Sequence, residues 1–130
     1  MNISVVRGRL TRPPEPRDLP SGDHLVAYEV TVEHPGARAE SVPVVWHDPP
    51  AAALALDAGD AVLVVGRVRR RFFKAGGATQ SRTEVVADTV LPVRQAKRCR
   101  AALDKALTRV EAEWTGPATG TAPTELASTG

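Results

Sequence analysis

The strongest constraint on the fold is a series of β-type runs, separated by turn signals, that occupies residues 1–93. In the clearest run, Val26, Tyr28, Val30 and Val32 alternate with residues that are mostly polar. Alternation with a period of two is typical of a half-buried strand, so we expect Tyr28 to lie in the core. Several short runs of this kind with Gly- and Pro-rich turns between them predict an all-β sandwich or barrel.

Four further runs complete the β-type pattern. In the first, Val6 and Leu10 share one face and the arginines Arg7 and Arg9 share the other. The prolines of the next segment, 12–17, lack a donor, so we expect no strand there. Pro43 marks the third run of the series as an edge strand or a bulged one. These four runs are Asn2–Thr11, Ser41–His47, Ala61–Lys74 and Arg82–Val90.

One helical segment interrupts the strands. Residues 48–57 fit a short helix with Asp48 as its N-cap, prolines in its first turn and Gly59 after its end. A helix at this place is unusual in a sandwich, but a five-stranded oligonucleotide/oligosaccharide-binding (OB) barrel carries one between its third and fourth strands. The sequence therefore predicts an all-β OB-fold barrel of five strands with one short helix between strands 3 and 4.

The C-terminal part differs in composition from the β-type region. Residues 94–114 have apolar side chains three and four positions apart, which predicts an amphipathic helix. Residues 115–130 are mainly Thr, Gly, Ala, Pro and Ser, and we expect them to be disordered. The predicted organisation is an OB domain over 1–93, a helix over 94–114 and a tail over 115–130. The apolar stripe of the helix consists of Ala96, Cys99, Leu103, Leu107, Val110 and Trp114.

The fourth run carries the clearest functional signal, because residues 66–74 contain five cations and no acid. Period-two geometry places four of its side chains on one face: Arg67, Arg69, Arg71 and Phe73. The opposite face holds Val68, Arg70 and Phe72, and we expect it to be buried because Val62 and Val64 share it. A cationic row with an aromatic ring is the design that binds single strands. The alternative is an exposed edge whose charges only prevent aggregation.

Three segments resemble bacterial single-stranded DNA-binding proteins. The opening Asn2–Thr11, followed by Pro-Glu-Pro-Arg at 14–17 and Ser-Gly at 21–22, is similar to the start of that family. The similarity continues in 59–73, where a β-run leads into Gly-Arg-Val-Arg and an aromatic pair, and it ends in the last β-run. The resemblance covers residues 2–91. It implies an OB barrel that binds single-stranded DNA with little sequence preference in replication, repair or recombination.

The resemblance also implies roles for individual residues. Phe73 corresponds to a Trp that stacks on a base, and Trp46 lies at or beside a stacking Phe. Arg9 lies where a polar residue touches the backbone of the DNA strand. Two departures indicate a short paralogue with weaker binding: Ser41 replaces another stacking Trp, and the acidic C-terminal tip that recruits repair and replication proteins is lacking.

The predicted binding site combines these observations. Phe73 and Trp46 stack on bases, although Trp46 shares its face with Val42 and Val44, so core packing stays an alternative for it. We expect no catalytic residue, metal or cofactor, because the single Cys99 excludes a thiolate cluster and the three histidines lack ligand spacing. The cations predicted to neutralise phosphates are Arg7, Arg9, Arg67, Arg69, Arg71, Lys74 and Arg82.

Two other functions stay open at this stage. One is a protein–protein interaction module of a replication-restart or repair assembly, with weak nucleic-acid affinity. The other is an RNA-binding OB domain, because cations and rings alone do not distinguish the sugars. Without an apolar stretch of about 18 residues, we expect no membrane segment and a cytoplasmic, nucleoid-associated protein. The resemblance further implies a homo-oligomer, with a homotetramer favoured over a dimer.

Overall fold

A computed structural model describes residues 1–114 as six strands, one short 3₁₀-helix and one α-helix. The tail expected over 115–130 lies outside the described residues. The strands are β1 (Ser4–Leu10), β2 (Glu15–Asp18), β3 (His24–Val32), β4 (Glu40–His47), β5 (Ala61–Ala75) and β6 (Ala78–Pro92). The 3₁₀-helix is Ala51–Leu54 and the α-helix α1 is Ala96–Glu113.

Five of the six strands close into a barrel. The order is β1-β5-β6-β4-β3, and a short pairing of Arg9 and Leu10 with β3 completes the ring. The neighbours are antiparallel except β4 and β6, which pair in parallel through Val44 and Val45. The 3₁₀-helix lies between β4 and β5, which in chain order are the third and fourth strands of the ring. The prediction of a five-stranded OB-fold barrel with a short helix at this place is confirmed.

The core is built from the inward side chains that the alternating pattern predicted. Val30, Val62 and Val64 are fully buried, and Tyr28 packs among them. The Tyr28 hydroxyl donates a hydrogen bond to the carbonyl oxygen of Ala53 at 2.9 Å, which ties the 3₁₀-helix to the barrel. Burial raises the pKa of Tyr28 above its ordinary value. A buried phenol needs such a partner, and this bond provides it.

The short helix differs from the prediction in length and in its start. It is a single 3₁₀ turn with Pro50, not Asp48, at its N-cap. Asp48 has a positive φ of 46°, and its N–H donates to the carbonyl oxygen of His24 at 2.9 Å. That bond extends the β3–β4 ladder by one residue, so Asp48 ends a strand instead of starting a helix.

The proline-rich segment also differs from the prediction, because Glu15–Asp18 forms the short strand β2 on the outer edge of β3. Pro16 lies opposite Val26. An edge strand tolerates proline where the missing N–H would have faced solvent. Strand β6 also begins earlier than the predicted run Arg82–Val90, because Gly76 and Gly77 alone connect β5 to β6, both with positive φ. Two-residue turns with positive φ at both positions match the twist of a hairpin.

Helix α1 packs against the outer surface of its own barrel. Its contact face is Cys99, Ala102, Leu103 and Ala106, which meet Leu63 and other outward side chains of the sheet. The predicted stripe is wrong in its second half, because Leu107 and Trp114 are exposed. The helix packs mainly on β5 and β6, and its small residues Ala102 and Ala106, which allow close approach, face the sheet. An ion pair of Arg109 with Asp88 at 3.0 Å holds its C-terminal half.

Candidate nucleic-acid interface

The β5–β6 hairpin extends beyond the barrel, and we call its residues 67–84 the arm. Up to Gly66, β5 is covered by β1 on its edge and by α1 on its outer face. Past Gly66 this cover ends, and Val68 and Phe72 are 45% and 66% exposed. The expectation that their face is buried is therefore wrong. The period-two pattern continues along the strand, but beyond Gly66 no second layer packs against it.

Gly66 marks the boundary between the barrel and the arm. The pairing register of β5 and β6 shifts between Val65 and Gly66. A Cβ atom at Gly66 would lie 2.1 Å from the carbonyl oxygen of Val86, a contact that no side chain tolerates. A glycine is thus required where β6 approaches β5 most closely. The bulge bends the strand, and the hairpin leaves the barrel at this point.

The front face of the arm carries the basic row. In the ladder Arg69 lies opposite Glu84, Arg71 opposite Arg82, and Phe73 opposite Gln80. The Arg71 guanidinium lies 5.2 Å from the centre of the Phe73 ring, within the range of a cation–π contact. Arg71 and Phe73 therefore form one flat, cationic and aromatic surface, as the alternating pattern predicted.

This front face continues into a groove of about 500 Å³ that crosses the outer side of the barrel. Its floor is apolar and includes Leu25 and Val45. His47, which lies on the opposite face of its strand from Trp46, also lines the groove and is opposite Leu25. The charged residues of the groove are Arg12, Glu15, Arg17, Glu29, Arg69, Arg71, Arg82 and Glu84.

A buried acid lies in the middle of the basic row. Glu84 is only 2% exposed, and its two carboxylate oxygens accept bonds from Arg69 Nη2 at 2.5 Å and from Arg71 Nε at 3.4 Å. Arg69 is thus held tightly and Arg71 loosely. The sequence interpretation missed this acid because it considered the fourth run alone. Counting back from the Gly76–Gly77 turn places Glu84 opposite Arg69, so the signal was present in the pairing.

Arg82 has a different environment from Arg69. It lies directly opposite Arg71, and like charges in that position destabilise a hairpin. Among residues 1–114, Arg82 has no carboxylate within ion-pair distance. A ligand with negative charge over the front face would offset both the repulsion and the missing partner. Arg71 and Arg82 are therefore the pair of cations best prepared for an anion.

The remaining groove cations are largely neutralised within the protein. Arg12 pairs with Glu29 at 2.8 Å, and Arg17 pairs with Glu15 at 2.7 Å. The groove thus has five arginines and three glutamates along its length. Its positive charge is smaller than the sequence of the arm suggested, and it is concentrated at the arm.

The structure separates several of the predicted site residues from this groove. Arg7 and Arg9 lie opposite Leu63 and Ala61, at the barrel end of β5. Arg71 is eight residues from Leu63, about 26 Å along a strand. Lys74 belongs to the back face of the arm, and Arg67 lies on the front face beside the barrel, opposite Val86.

Trp46 is also separated from the basic row. It packs against the main core together with Val42, and it lines a small cleft with Leu56 and Val90. Its neighbour His47 points to the groove instead, because successive side chains of a strand face opposite ways. Of the two roles that the sequence left open for Trp46, this position favours core packing.

The described residues offer little else that could carry chemistry. Within residues 1–114, no three His, Cys, Asp or Glu side chains gather closely enough to hold a metal ion. None of the helices in that part of the chain has the length and hydrophobicity needed to cross a bilayer.

Comparisons with known proteins agree with this architecture. The sequence model of the single-strand binding protein family matches residues 1–93. The comparison with curated protein sequences finds no match. Among solved structures, the wild-type single-stranded DNA binding protein from Thermus aquaticus is similar, with 26% identity and a TM-score of 0.58 over 71% of this chain. A deletion variant of the same protein gives 27% identity, the same TM-score and the same coverage.

The chain spans about 40% of the length of these two structures. The family match nevertheless covers the whole barrel, including the arm and every strand of the ring. The closed five-stranded ring, the short helix between its third and fourth strands and the basic arm are the features that the match spans. The chain therefore belongs to the single-strand binding protein family.

Proposed function

We propose that this chain binds single-stranded DNA along the front face of the arm and the adjoining groove, without catalysis. The observation that carries the proposal is the opposed pair Arg71 and Arg82 beside the Phe73 ring. Cations along a groove with a ring for base stacking are the general means of binding single strands. The Thermus aquaticus proteins to which the chain is similar are named for the same activity.

The roles of the arginines differ in this proposal. Arg71 and Arg82 contact phosphates, and Arg67 extends the path toward the barrel. Arg69 stays with Glu84, because a charge-assisted bond to a buried carboxylate is strong and the carboxylate has no better partner. Phe73 stacks a base and His47 adds a polar contact in the groove. Arg7, Arg9, Lys74 and Trp46, all first assigned to the site, lie outside this contact set.

The binding free energy includes the release of counterions from the strand. Each phosphate contact on a single strand adds about 0.7 to the slope of log K against log salt concentration. Three contacts from Arg67, Arg71 and Arg82 give a slope of roughly 2. The expected affinity is modest, because the other groove arginines are already paired with glutamates.

The test is a titration of the full chain with labelled oligo-dT, oligo-rU and a duplex at two salt concentrations. We expect oligo-dT to bind more tightly than duplex, with affinity falling as salt rises. Arg82→Ala reduces the slope by about 0.7. The matched control is Arg100→Ala, an exposed arginine on α1, which leaves the slope unchanged. Equal affinity for duplex, or binding that ignores salt, contradicts the proposal. Tighter binding of oligo-rU than of oligo-dT would indicate that the chain binds RNA instead.

Self-association is a second part of the proposal. One edge of β1 pairs with β5. The opposite edge, from Ser4 to Gly8, has no strand partner in the part of the chain that the structure describes, and Val5 beside it is exposed. An open edge of this kind can pair with its copy across a two-fold axis. We propose a homo-oligomer, with a tetramer favoured over a dimer. Light scattering at micromolar concentration tests this, and a monomer mass contradicts it.

A protein-interaction role is the second candidate function. The observation that favours it is the exposed pair Leu107 and Trp114 on α1, which the barrel does not cover. In that case replication or repair proteins dock on the helix and the groove binds DNA only weakly. Loss of salt-dependent oligo-dT binding in the titration above, with a folded protein, supports this candidate over the first.

A further inference from the structure

The back face of the arm is a surface that the proposed function leaves unused. Its aromatic residue is Phe72, the most exposed large apolar side chain of the arm at 66%. A single exposed ring is ordinary on a protein surface. The surroundings of this ring are less ordinary. On β5 the back face consists of Val68, Arg70, Phe72 and Lys74, and on β6 it consists of Thr79, Ser81 and Thr83.

The chemistry of this face matches a nucleic-acid strand. Arg70 and Lys74 flank Phe72 two residues away on either side, so both cations lie on its face at about 6.6 Å along the strand. Arg70 Nε donates to the Ser81 hydroxyl at 3.2 Å, which orients the guanidinium over the ribbon. No acidic residue occurs between 67 and 83. The back face of the arm therefore presents no carboxylate that would repel a phosphate.

Protection of an edge strand does not account for this arrangement. Charges such as Arg70 and Lys74 prevent edge-to-edge association, but exposed apolar side chains such as Phe72 and Val68 promote it. A second copy of the chain is also a poor occupant, because two acid-free cationic faces repel each other. A single strand of nucleic acid fits both features, because a base stacks on the aromatic ring and the phosphates contact the flanking cations.

The two faces of the arm meet at a free edge. Asn2 bonds the backbone N–H and carbonyl of Val68 through its side chain, at 3.0 and 2.8 Å. Beyond Val68, this edge of β5 has no strand partner among residues 1–114. The arm there is two strands wide, about 5 Å between backbones. A strand of DNA that passes Arg71 on the front can cross this edge and reach Phe72 within a few nucleotides.

We propose that the back face of the arm is a second contact site for the same DNA strand. Phe72 stacks a base, and Arg70 and Lys74 hold the phosphates on either side of it. The strand thus wraps around the arm instead of lying on one face only. This inference rests on the proposed function, since the strand reaches the back face from the front.

The test compares Phe72→Ala with the wild-type chain on two lengths of oligo-dT. A short oligomer of about 8 nucleotides fits within one OB site, and a long one of about 30 exceeds it. We expect about tenfold weaker binding of the long oligomer, the effect of one lost base stack, and a change of less than about twofold for the short one. Phe72→Tyr keeps the ring and restores binding. The matched control is Leu54→Ala, an equally apolar exposed residue on the 3₁₀-helix.

A spectroscopic readout separates stacking from a general loss of affinity. Phe72→Trp places an indole on the back face, and its added fluorescence, measured against the wild-type chain, is quenched by the long oligomer if a base stacks there. Unchanged affinity of Phe72→Ala for both lengths overturns the inference, as does an equal loss for both. A lower mass by light scattering with unchanged affinity also overturns it. The proposed function survives these outcomes if the wild-type chain still prefers oligo-dT to duplex and its binding still weakens with salt, and it fails separately if neither holds.

Discussion

The barrel half and the arm half of the β5–β6 hairpin are built from the same two strands but have opposite surroundings. In the barrel half, Val62 and Val64 are fully buried and α1 covers Leu63 on the outer side. In the arm half, Val68 on the inward side of the pleat is 45% exposed and Phe72 is 66% exposed. The backbone is a continuous antiparallel ladder throughout, apart from the shift at Gly66.

The difference shows that periodicity selects faces, whereas the neighbouring layers decide what a face becomes. An inward position is a core position only where other strands close around it. Beyond Gly66 the same position is a surface, and cations are stable there because they keep their hydration. The one buried charge of the arm, Glu84, is compensated by two arginines.

The largest expected effect is at the boundary itself. Gly66→Ala sets a methyl group against the Val86 carbonyl oxygen, where the backbone of two strands would have to separate. We expect a loss of about 4 kcal/mol or more in the free energy of unfolding, measured by urea denaturation. Gly76→Asn at the turn is the control, because Asn tolerates positive φ and the site is open. Wild-type stability of Gly66→Ala would show that a glycine is not required at the boundary between the barrel and the arm.

The next effect concerns the buried acid of the arm. Arg69→Ala leaves Glu84 with only the longer contact to Arg71, and we expect a loss of about 3 kcal/mol in stability. Arg71→Ala is the matched comparison, since Glu84 keeps its shorter bond and the variant loses little stability. Arg69→Met together with Glu84→Gln recovers most of the loss. If Arg69→Ala instead keeps its stability and loses DNA affinity, Arg69 is a phosphate contact.

Trp46 tests the packing of the barrel. Because it packs on the core with Val42, we expect Trp46→Ala to lower the free energy of unfolding by about 2 kcal/mol. Its affinity for oligo-dT, measured below the unfolding transition, stays at the wild-type value. Reduced affinity in a fully stable variant would return Trp46 to the binding site as a stacking residue.

Phe73 gives the complementary result from the arm side. Phe73→Ala removes the ring beside Arg71, and we expect the affinity for oligo-dT to fall by about 1.5 kcal/mol, roughly tenfold. The midpoint of thermal unfolding changes little, since Phe73 lies opposite Gln80 near the tip of the arm and belongs to no core cluster. Titration and thermal denaturation of the same sample separate the two quantities. Normal binding by this variant would contradict a stacking role for Phe73.

The smallest expected effect is a pH dependence at β2. The hydrogen bond that the His24 ring donates to the Asp18 carboxylate, together with the charge of that carboxylate, raises the pKa of His24 above its ordinary value near 6.5. The stabilisation is therefore complete below about pH 6.5 and is lost as the pH rises through the higher folded value. We expect the wild-type chain to have a higher Tm than His24→Gln near pH 5.5 and an equal Tm near pH 9. A difference that persists at high pH would assign His24 a packing role.

Much of this molecule was predictable from local pattern. Alternation identified the inward face of β3, including Tyr28, and the parity of the arm. Resemblance and strand order gave the OB barrel. Capping rules failed at Asp48, because its N–H bonds to His24 across the sheet, a long-range contact that no local rule contains. Proline rules failed at Pro16 because an edge position removes the cost of the missing donor.

The composition of the site was less predictable than the fold. The cations of the arm are visible in the sequence, but a single strand does not show their partners, so Arg69, Arg71 and Arg82 look equivalent there. Only the hairpin pairing distinguishes them, since it sets Glu84 beside two of them and Arg71 against the third. The role of Trp46 was open for a similar reason: alternation placed it on the face of Val42 and Val44, but only the neighbouring strands show that this face packs on the core.

Spacing and composition along the chain were enough to predict the five barrel strands, the short helix between the third and fourth of them and the acid-free basic segment 66–74, but not the edge strand β2. Tertiary structure alone decided which of those cations stay free, where β5 leaves the barrel, and that α1 packs on its own barrel through Ala102 and Ala106. Such features depend on groups far apart in sequence. Burial and charge pairing are set by those neighbours, and a local pattern carries no record of them.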